Sequence, residues 1–185
     1  SREVEVRARV AGILERQLFR EGEPIRAGAP MYRIDRAPFE IALAQARATL
    51  AEAQARSERA QLEAGRLQKL LAERAISQRE HDDAQSSRQQ TLASLQAAQA
   101  RVREAELNLS YTTVNAPIAG IAGRALRSEG SLVSPNSDSA LLTTLSRTDP
   151  LWVRFSLSDA EYAQLRGAPA GAAAGASAGA PKVRL

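Results

Sequence analysis

Apolar positions near the start of the chain fall at every second place. Val4, Val6, Ala8 and Val10 alternate with Glu and Arg, the signature of a strand with one buried face. Turn-forming residues follow at Glu21-Gly22-Glu23-Pro24 and Ala27-Gly28-Ala29-Pro30, then a short apolar stretch, Met31-Tyr32-Arg33-Ile34. Beyond Pro38 the period changes. As far as residue 110 there is no further proline and one glycine, Gly65. Leu43, Ala46, Leu50, Ala53, Ser57, Ala60, Ala64, Leu67 and Leu71 recur at alternating spacings of three and four, as do Thr91, Leu95, Ala98, Val102, Ala105 and Leu109. Such heptad order places one apolar seam along each of two helices and predicts an antiparallel two-helix coil. At 1.5 Å per residue each arm would extend roughly 50 Å.

The ends of the helices are also marked. Pro38 suits the first turn of the opening helix, where its missing N–H costs nothing. Ser77-Gln78-Arg79-Glu80 has the pattern of a capping box and places a turn between the arms near Ala75-Ile76-Ser77. Asn115-Ala116-Pro117 returns the chain to an extended course. Past Pro150, residues 151–157 alternate like a strand and Ser158 opens a short helix to about Arg166. Residues 167–181 are an unpatterned Ala/Gly/Pro/Ser tract, expected to be a flexible loop, and 182–185 could begin another strand. The chain reads as a fragment that stops inside a domain only just begun.

The two segments flanking the helices repeat one another. Ala11-Gly12-Ile13 matches Ala119-Gly120-Ile121 at an offset of 108, and the same offset pairs Arg16 with Arg124, Leu18 with Leu126, and Glu21-Gly22 with Glu129-Gly130. Two similar β motifs therefore form one pseudo-symmetric unit, with the helical stretch inserted between them. Neither half is large enough to bury a core alone.

Composition narrows the chemistry. The 185 residues include 37 alanines, no cysteine, one histidine (His81) and 4% aromatics. A disulfide framework, a Cys-based zinc site and a thiol nucleophile are excluded, and a multi-histidine metal site cannot be assembled. Charge adds little: 25 basic residues against 21 acidic give a net of +4, and the arginines are dispersed among Glu and Asp. That pattern describes a solvated helix surface and gives no sign of a nucleic-acid partner, despite a pI near 10.1. No apolar run reaches the roughly 18 residues of a membrane span. The paired Glu21-Gly22 and Glu129-Gly130 read as matched turns, not as an acid/base dyad.

A β repeat split by a long helical hairpin and followed by a further β segment resembles the membrane fusion proteins, the periplasmic adaptor subunits of tripartite efflux pumps, in the branch typified by AcrA and MexA. The resemblance covers about residues 3–166. It rests on Val10-Ala11-Gly12-Ile13-Leu14, Leu18-Phe19-Arg20-Glu21-Gly22 and Tyr32-Arg33-Ile34-Asp35, then on the block Leu109–Gly120, on Glu129-Gly130-Ser131-Leu132-Val133, and on Asp149-Pro150-Leu151-Trp152-Val153.

The family implies an α+β fold: a split lipoyl-like β-sandwich with an inserted antiparallel coiled-coil hairpin, followed by the start of a β-barrel domain. The corresponding segments are 2–37 and 111–150 for the two lipoyl-like halves, 38–110 for the hairpin with its tip near 73–78, and 151–185 for the incomplete barrel. It also implies a non-catalytic adaptor without cofactors. That adaptor would link an inner-membrane RND-type multidrug transporter to a TolC-like outer-membrane channel, self-associating as a hexameric ring. Its place would be the periplasm of a Gram-negative bacterium, held at the inner membrane through regions missing from this chain.

Adaptors that engage TolC-like channels carry an arginine, a leucine four residues on and a serine seven further. Here those positions are Arg66, Leu70 and Ser77. Arg66 and Leu70 share one helix face, and Leu70 lies beside the seam rather than on it, so its side chain should be partly exposed. Each residue also has a purely structural reading: Ser77 as a cap, Leu70 as padding, Arg66 as one solvated arginine among many. His81 nearby reads as a surface helix residue, with a pH-sensitive contact as the alternative.

Three other functions compete. An adaptor of an ABC or major-facilitator exporter would share the architecture. A lipoyl or biotinyl carrier would need a lysine at the turn that the hairpin replaces, and residues 1–68 hold none. A metal-delivering adaptor would want several soft ligands, whereas Met31 and His81 lie in different segments.

Overall fold

The computed structural model describes residues 2–147, which fall within one compact unit. The strand, helix and tract expected over 151–185 lie outside the described residues. Among the described residues eight strands run in chain order: β1 (Arg2–Arg7), β2 (Gly12–Gln17), β3 (Pro24–Ile25), β4 (Pro30–Ile34), β5 (Thr113–Asn115), β6 (Gly120–Ala122), β7 (Leu132–Val133) and β8 (Leu141–Arg147). Between β4 and β5 stand two helices, α1 (Ala37–Ala72) and α2 (Gln78–Ser110). The strands form two four-stranded sheets, β1-β8-β6-β3 and β5-β4-β2-β7, in which every pairing is antiparallel. The architecture is a β-sandwich with an inserted helical hairpin.

The sequence repeat is a structural repeat, and it extends to single hydrogen bonds. Gly12 and Ile13 pair with Val133 and Leu132, while Gly120 and Ile121 pair with Ile25 and Pro24, the same register carried by the 108-residue offset. Gly22 donates its N–H to the Ala122 carbonyl at 2.8 Å, and Gly130 donates to the Leu14 carbonyl at 2.8 Å. The Glu21 carboxylate accepts from the Ala125 amide at 2.8 Å, and the Glu129 carboxylate accepts from the Gln17 amide at 2.8 Å. Each half thus closes its turn on the other half. Neither half satisfies its backbone alone, the reason a single copy could not stand as a domain.

Three extra residues before β8, in the stretch containing the short 3-10 turn Asp138–Ala140, shift the later correspondence to 111. Ile34 then corresponds to Leu145, and Leu14 with Ile34 to Ala122 with Leu145. The repeat also explains the core. Alternation along β1 sends Val6 inward, with Ala8 and Val10 following beyond its end, and these meet Leu14, Met31, Tyr32, Ile34, Val114, Val133, Leu142 and Leu145, all buried. Each fully buried aliphatic side chain contributes roughly 1.5–3 kcal/mol of transfer free energy. Tyr32 is the largest fully buried side chain among the described residues. Its hydroxyl donates to the Leu142 carbonyl, and its ring meets Phe19 edge to face at 5.2 Å. Burial, and secondarily the charge of Glu21, raise its pKa well above the ordinary phenol value.

The helices follow the heptad seam read from the sequence. Leu43, Ser57, Ala64 and Ala98 are buried, and the other seam residues, from Ala46 to Leu71 and from Thr91 to Leu109, are half-buried. Small seam residues let two backbones approach closely, but a pair of helices cannot enclose its own seam from both sides. Arg47 bridges to Glu106 across the pair at 3.1 Å; both side chains are well exposed, so the bridge orients more than it stabilises. At its base α1 is started by Asp35, whose carboxylate accepts from the Ala37 amide at 3.0 Å. Phe39 and Tyr111 pack against the sandwich core, which seats both helices on it.

Candidate docking site at the hairpin tip

The far end of the rod is built by two different caps. α1 ends at Ala72, and Glu73 and Arg74 turn the chain. Arg74 donates to the Leu71 carbonyl at 2.9 Å and Ala75 to the Leu70 carbonyl at 2.8 Å, the paired bonds of a Schellman motif. That motif needs a left-handed residue, and Arg74 takes it with φ of 59°, where glycine is the usual occupant. The absence of a glycine here is why the sequence marked the start of α2 clearly but not the end of α1.

α2 opens on Ser77. Its hydroxyl accepts from the Glu80 amide at 3.3 Å, while the Glu80 carboxylate accepts from both the Ser77 amide and the Ser77 hydroxyl at 2.8 Å. The box read from the sequence is therefore fully formed. Hydrogen bonds from the Ser77 amide, then from its hydroxyl, hold the Glu80 carboxyl below its ordinary range.

The three residues singled out by the family motif occupy separate positions on this end. Arg66 and Leu70 lie four residues apart on one flank of α1, and Ser77 lies across the turn at the start of α2. Arg66 is exposed and paired with Glu63; Leu70 is half-buried beside the seam residue Leu71. No hydrogen bond joins the three to each other: Arg66 is held by Glu63 and Ser77 by Glu80. Chemically the tip offers a guanidinium, an apolar side chain with free surface, and a locked N-cap, which is equipment for contact.

His81 departs from the surface reading. It falls on the α2 seam, at the position reached by carrying the heptad back from Leu95 through Arg88, and its side chain is only 17% exposed. Nδ1 lies 3.1 Å from the Asp82 carboxylate and Nε2 3.5 Å from the Gln85 amide. The signal is present in the spacing, which continues the α2 seam beyond Thr91 toward the tip. Elsewhere among the described residues, no group of three or more His, Cys, Asp or Glu side chains is placed to hold a metal ion. No helix among them is long and apolar enough to cross a membrane.

Comparison with known proteins places this geometry. The family model described as the barrel-sandwich hybrid domain of RND membrane fusion proteins matches residues 2–145. The efflux pump periplasmic linker BepD of Brucella suis is 40% identical over 164 residues, covering 89% of this chain and 41% of BepD. The multidrug efflux pump subunit AcrA of Escherichia coli K12 is 38% identical over 162 residues, covering 88% of this chain and 41% of AcrA. The chain therefore spans about two-fifths of the length of these relatives. Among solved structures, a MacA–MexA chimera containing the Pseudomonas aeruginosa MexA α-hairpin domain superposes with a TM-score of 0.53 at 27% identity, covering 79% of this chain and 48% of the chimera.

Proposed function

The chain belongs to the RND membrane fusion proteins, and from that premise we propose that it is the rod-bearing part of a periplasmic adaptor in a tripartite efflux pump. In this reading the protein is non-catalytic and anchored at the inner membrane. It joins an RND-type transporter there to a TolC-like channel in the outer membrane, standing with other copies in a hexameric ring. The observation that carries the reading is the rod itself. Helices of 36 and 33 residues, roughly 50 Å long, leave a small sandwich and end in an exposed tip. A structure of that length has no use in holding a small ligand, whereas it suits a protein that spans a gap between two partners.

The tip then docks on the channel through Arg66, Leu70 and Ser77. Leu70 supplies apolar surface that a partner groove would remove from water, and Arg66 stands one turn away on the same flank. Ser77 shapes the turn, since its hydroxyl is already engaged by Glu80.

Leu70→Asp is the cleaner test, because Ser77→Asp would also set a second carboxylate against Glu80. Both variants are introduced into the protein as its cell makes it, and drug susceptibility, expression and helicity by circular dichroism are measured. The expected result is susceptibility rising toward that of a strain lacking the protein, at unchanged expression and helicity. Efflux surviving both changes would show that the tip does not dock in this way.

A further inference from the structure

The rod is held firmly at both ends and loosely between them. At its base the seam carries Leu43 and Leu50 on α1 and Val102 and Leu109 on α2, and Arg47 bridges to Glu106. At the far end Leu67, Leu71 and Ile76 are half-buried, and the turn is fixed by the bonds around Arg74 and by the Ser77–Glu80 box.

Between those ends the seam runs out of large apolar side chains. From Leu50 to Leu67 the α1 seam holds Ala53, Ser57, Ala60 and Ala64, and from Leu95 toward the tip α2 offers Thr91, Arg88 and Ala84. Arg88 occupies a seam position and is nevertheless exposed, so the seam is open there. A cleft of about 290 Å³ lies at this level, lined in part by Ala60 and Glu63 from α1 and by Ala84, Ser87 and Thr91 from α2. Apolar area removed from water is what holds two such helices together, so the pair is weakest at this level.

The same level carries Gly65, the one glycine of the two helices. Counting equal steps from the Arg47–Glu106 bridge sets it beside Arg88 to within a turn. A glycine inside a helix is often explained by a neighbour that leaves no room for a side chain. Here a Cβ added to Gly65 would meet nothing within 4 Å, so packing does not demand it. Its effect is on the backbone: relative to alanine, an interior glycine favours local opening of the helix by about fivefold.

We infer that the rod has a joint of its own near Gly65 and Arg88, where both helices open locally while the base stays paired and the tip keeps its shape. The joint is separate from the root of the rod, where Phe39 and Tyr111 seat the helices on the sandwich. It lets the tip tilt without unseating the rest. It goes beyond the adaptor reading and follows from the rod alone, whether or not the tip docks on a channel.

Hydrogen exchange followed by mass spectrometry, on the protein as its cell makes it, reads the joint directly. Protection, taken against intrinsic exchange rates, should be lowest over residues 58–68 and 84–91. It should recover toward the base, over 43–54 and 98–107, and again over 69–72 at the end of α1. Gly65→Ala should raise protection over 62–68 about fivefold and leave the base unchanged. Arg88→Leu closes the seam from α2 and should raise protection across the pair, over 60–66 of α1, which helix propensity within α2 cannot do. Circular dichroism checks that both variants keep their helicity. Protection falling steadily from base to tip would mean simple fraying and no joint. Protection over 58–68 equal to that of the base would also overturn the inference. So would no change on Gly65→Ala, or no change in α1 on Arg88→Leu. None of these results bears on docking, which Leu70→Asp tests separately.

Discussion

Gly22 and Gly130 are a matched pair on which the internal repeat can be tested energetically. Both have positive φ, 78° and 85°, and a methyl group added at either would meet nothing within 4 Å. Substitution by alanine therefore carries no steric clash, only the cost of holding a Cβ-bearing residue in the left-handed region, roughly 1–2 kcal/mol. Alanine also restricts the unfolded chain, which returns about 0.4–1 kcal/mol. The net expectation is a loss of about 1 kcal/mol at each site, equal for the two and additive in the double variant. Asparagine, which tolerates this conformation, should cost less than alanine at both.

Gly12 and Gly120 provide the contrast within the same repeat. At Gly12 the new carbon would fall 2.6 Å from Cγ2 of Ile34, and at Gly120 it would fall 2.7 Å from the Ser146 carbonyl oxygen of β8. The second contact is with backbone and would force β6 from β8, so Gly120→Ala should cost several kcal/mol and exceed Gly22→Ala and Gly130→Ala clearly. The assay is thermal or urea unfolding followed by near-ultraviolet circular dichroism, in which Tyr32 and Phe19 report on the sandwich rather than the rod. If Gly22→Ala and Gly130→Ala differ by more than about 1 kcal/mol, the two turns are not energetically equivalent and the reasoning from symmetry fails.

Two further predictions concern the tip. Arg74→Gly removes the left-handed strain of a Cβ-bearing residue at the cost of a more flexible unfolded chain, and should stabilise the turn by about 0.5–1 kcal/mol; slower hydrogen exchange at the Arg74 and Ala75 amides would register it, and unchanged or faster exchange would count against it. For pH, Glu80 and Asp82 both have carboxyls held below their ordinary values of 4.5 and 3.8, by bonds from Ser77 in the first case and from His81 and then Gln78 in the second. A depressed folded-state pKa supports the fold fully above the ordinary value and loses that support as pH falls through the depressed one. Protection of the first-turn amides of α2, taken against their intrinsic exchange rates, should therefore fall as the pH drops below these ordinary values while protection in the middle of the rod is unaffected, and Glu80→Gln should remove much of the dependence.

Much of this architecture was legible in the chain because periodicity and turns are local. The alternation of Val4, Val6 and Ala8, the heptad from Leu43 to Leu71, and the capping pair Ser77 and Glu80 each express one element's own geometry. The repeat at an offset of 108 is likewise a property of the sequence, and it announced two cooperating halves. The composition, without cysteine and with one histidine, excludes a disulfide framework, a thiol nucleophile and a multi-histidine metal site on residue counts alone.

What the sequence left open depended on residues far apart meeting. Nothing local says that Glu21 accepts from Ala125 while Glu129 accepts from Gln17, since the partners are separated by more than a hundred residues. The left-handed Arg74 was hidden because it stands where glycine is expected, stabilised by the two bonds around it. His81 and Gln85 gained their places only when α2 was laid against α1. The outer face of α1, where Ile41, Ala48, Ala55 and Leu62 are exposed, shows the same division. The sequence by itself determined that Ile41, Ala48, Ala55 and Leu62 share a helix face, because 3.6 residues per turn make it so. Only the tertiary structure decided that this face points away from α2, because the seam had already claimed the other side.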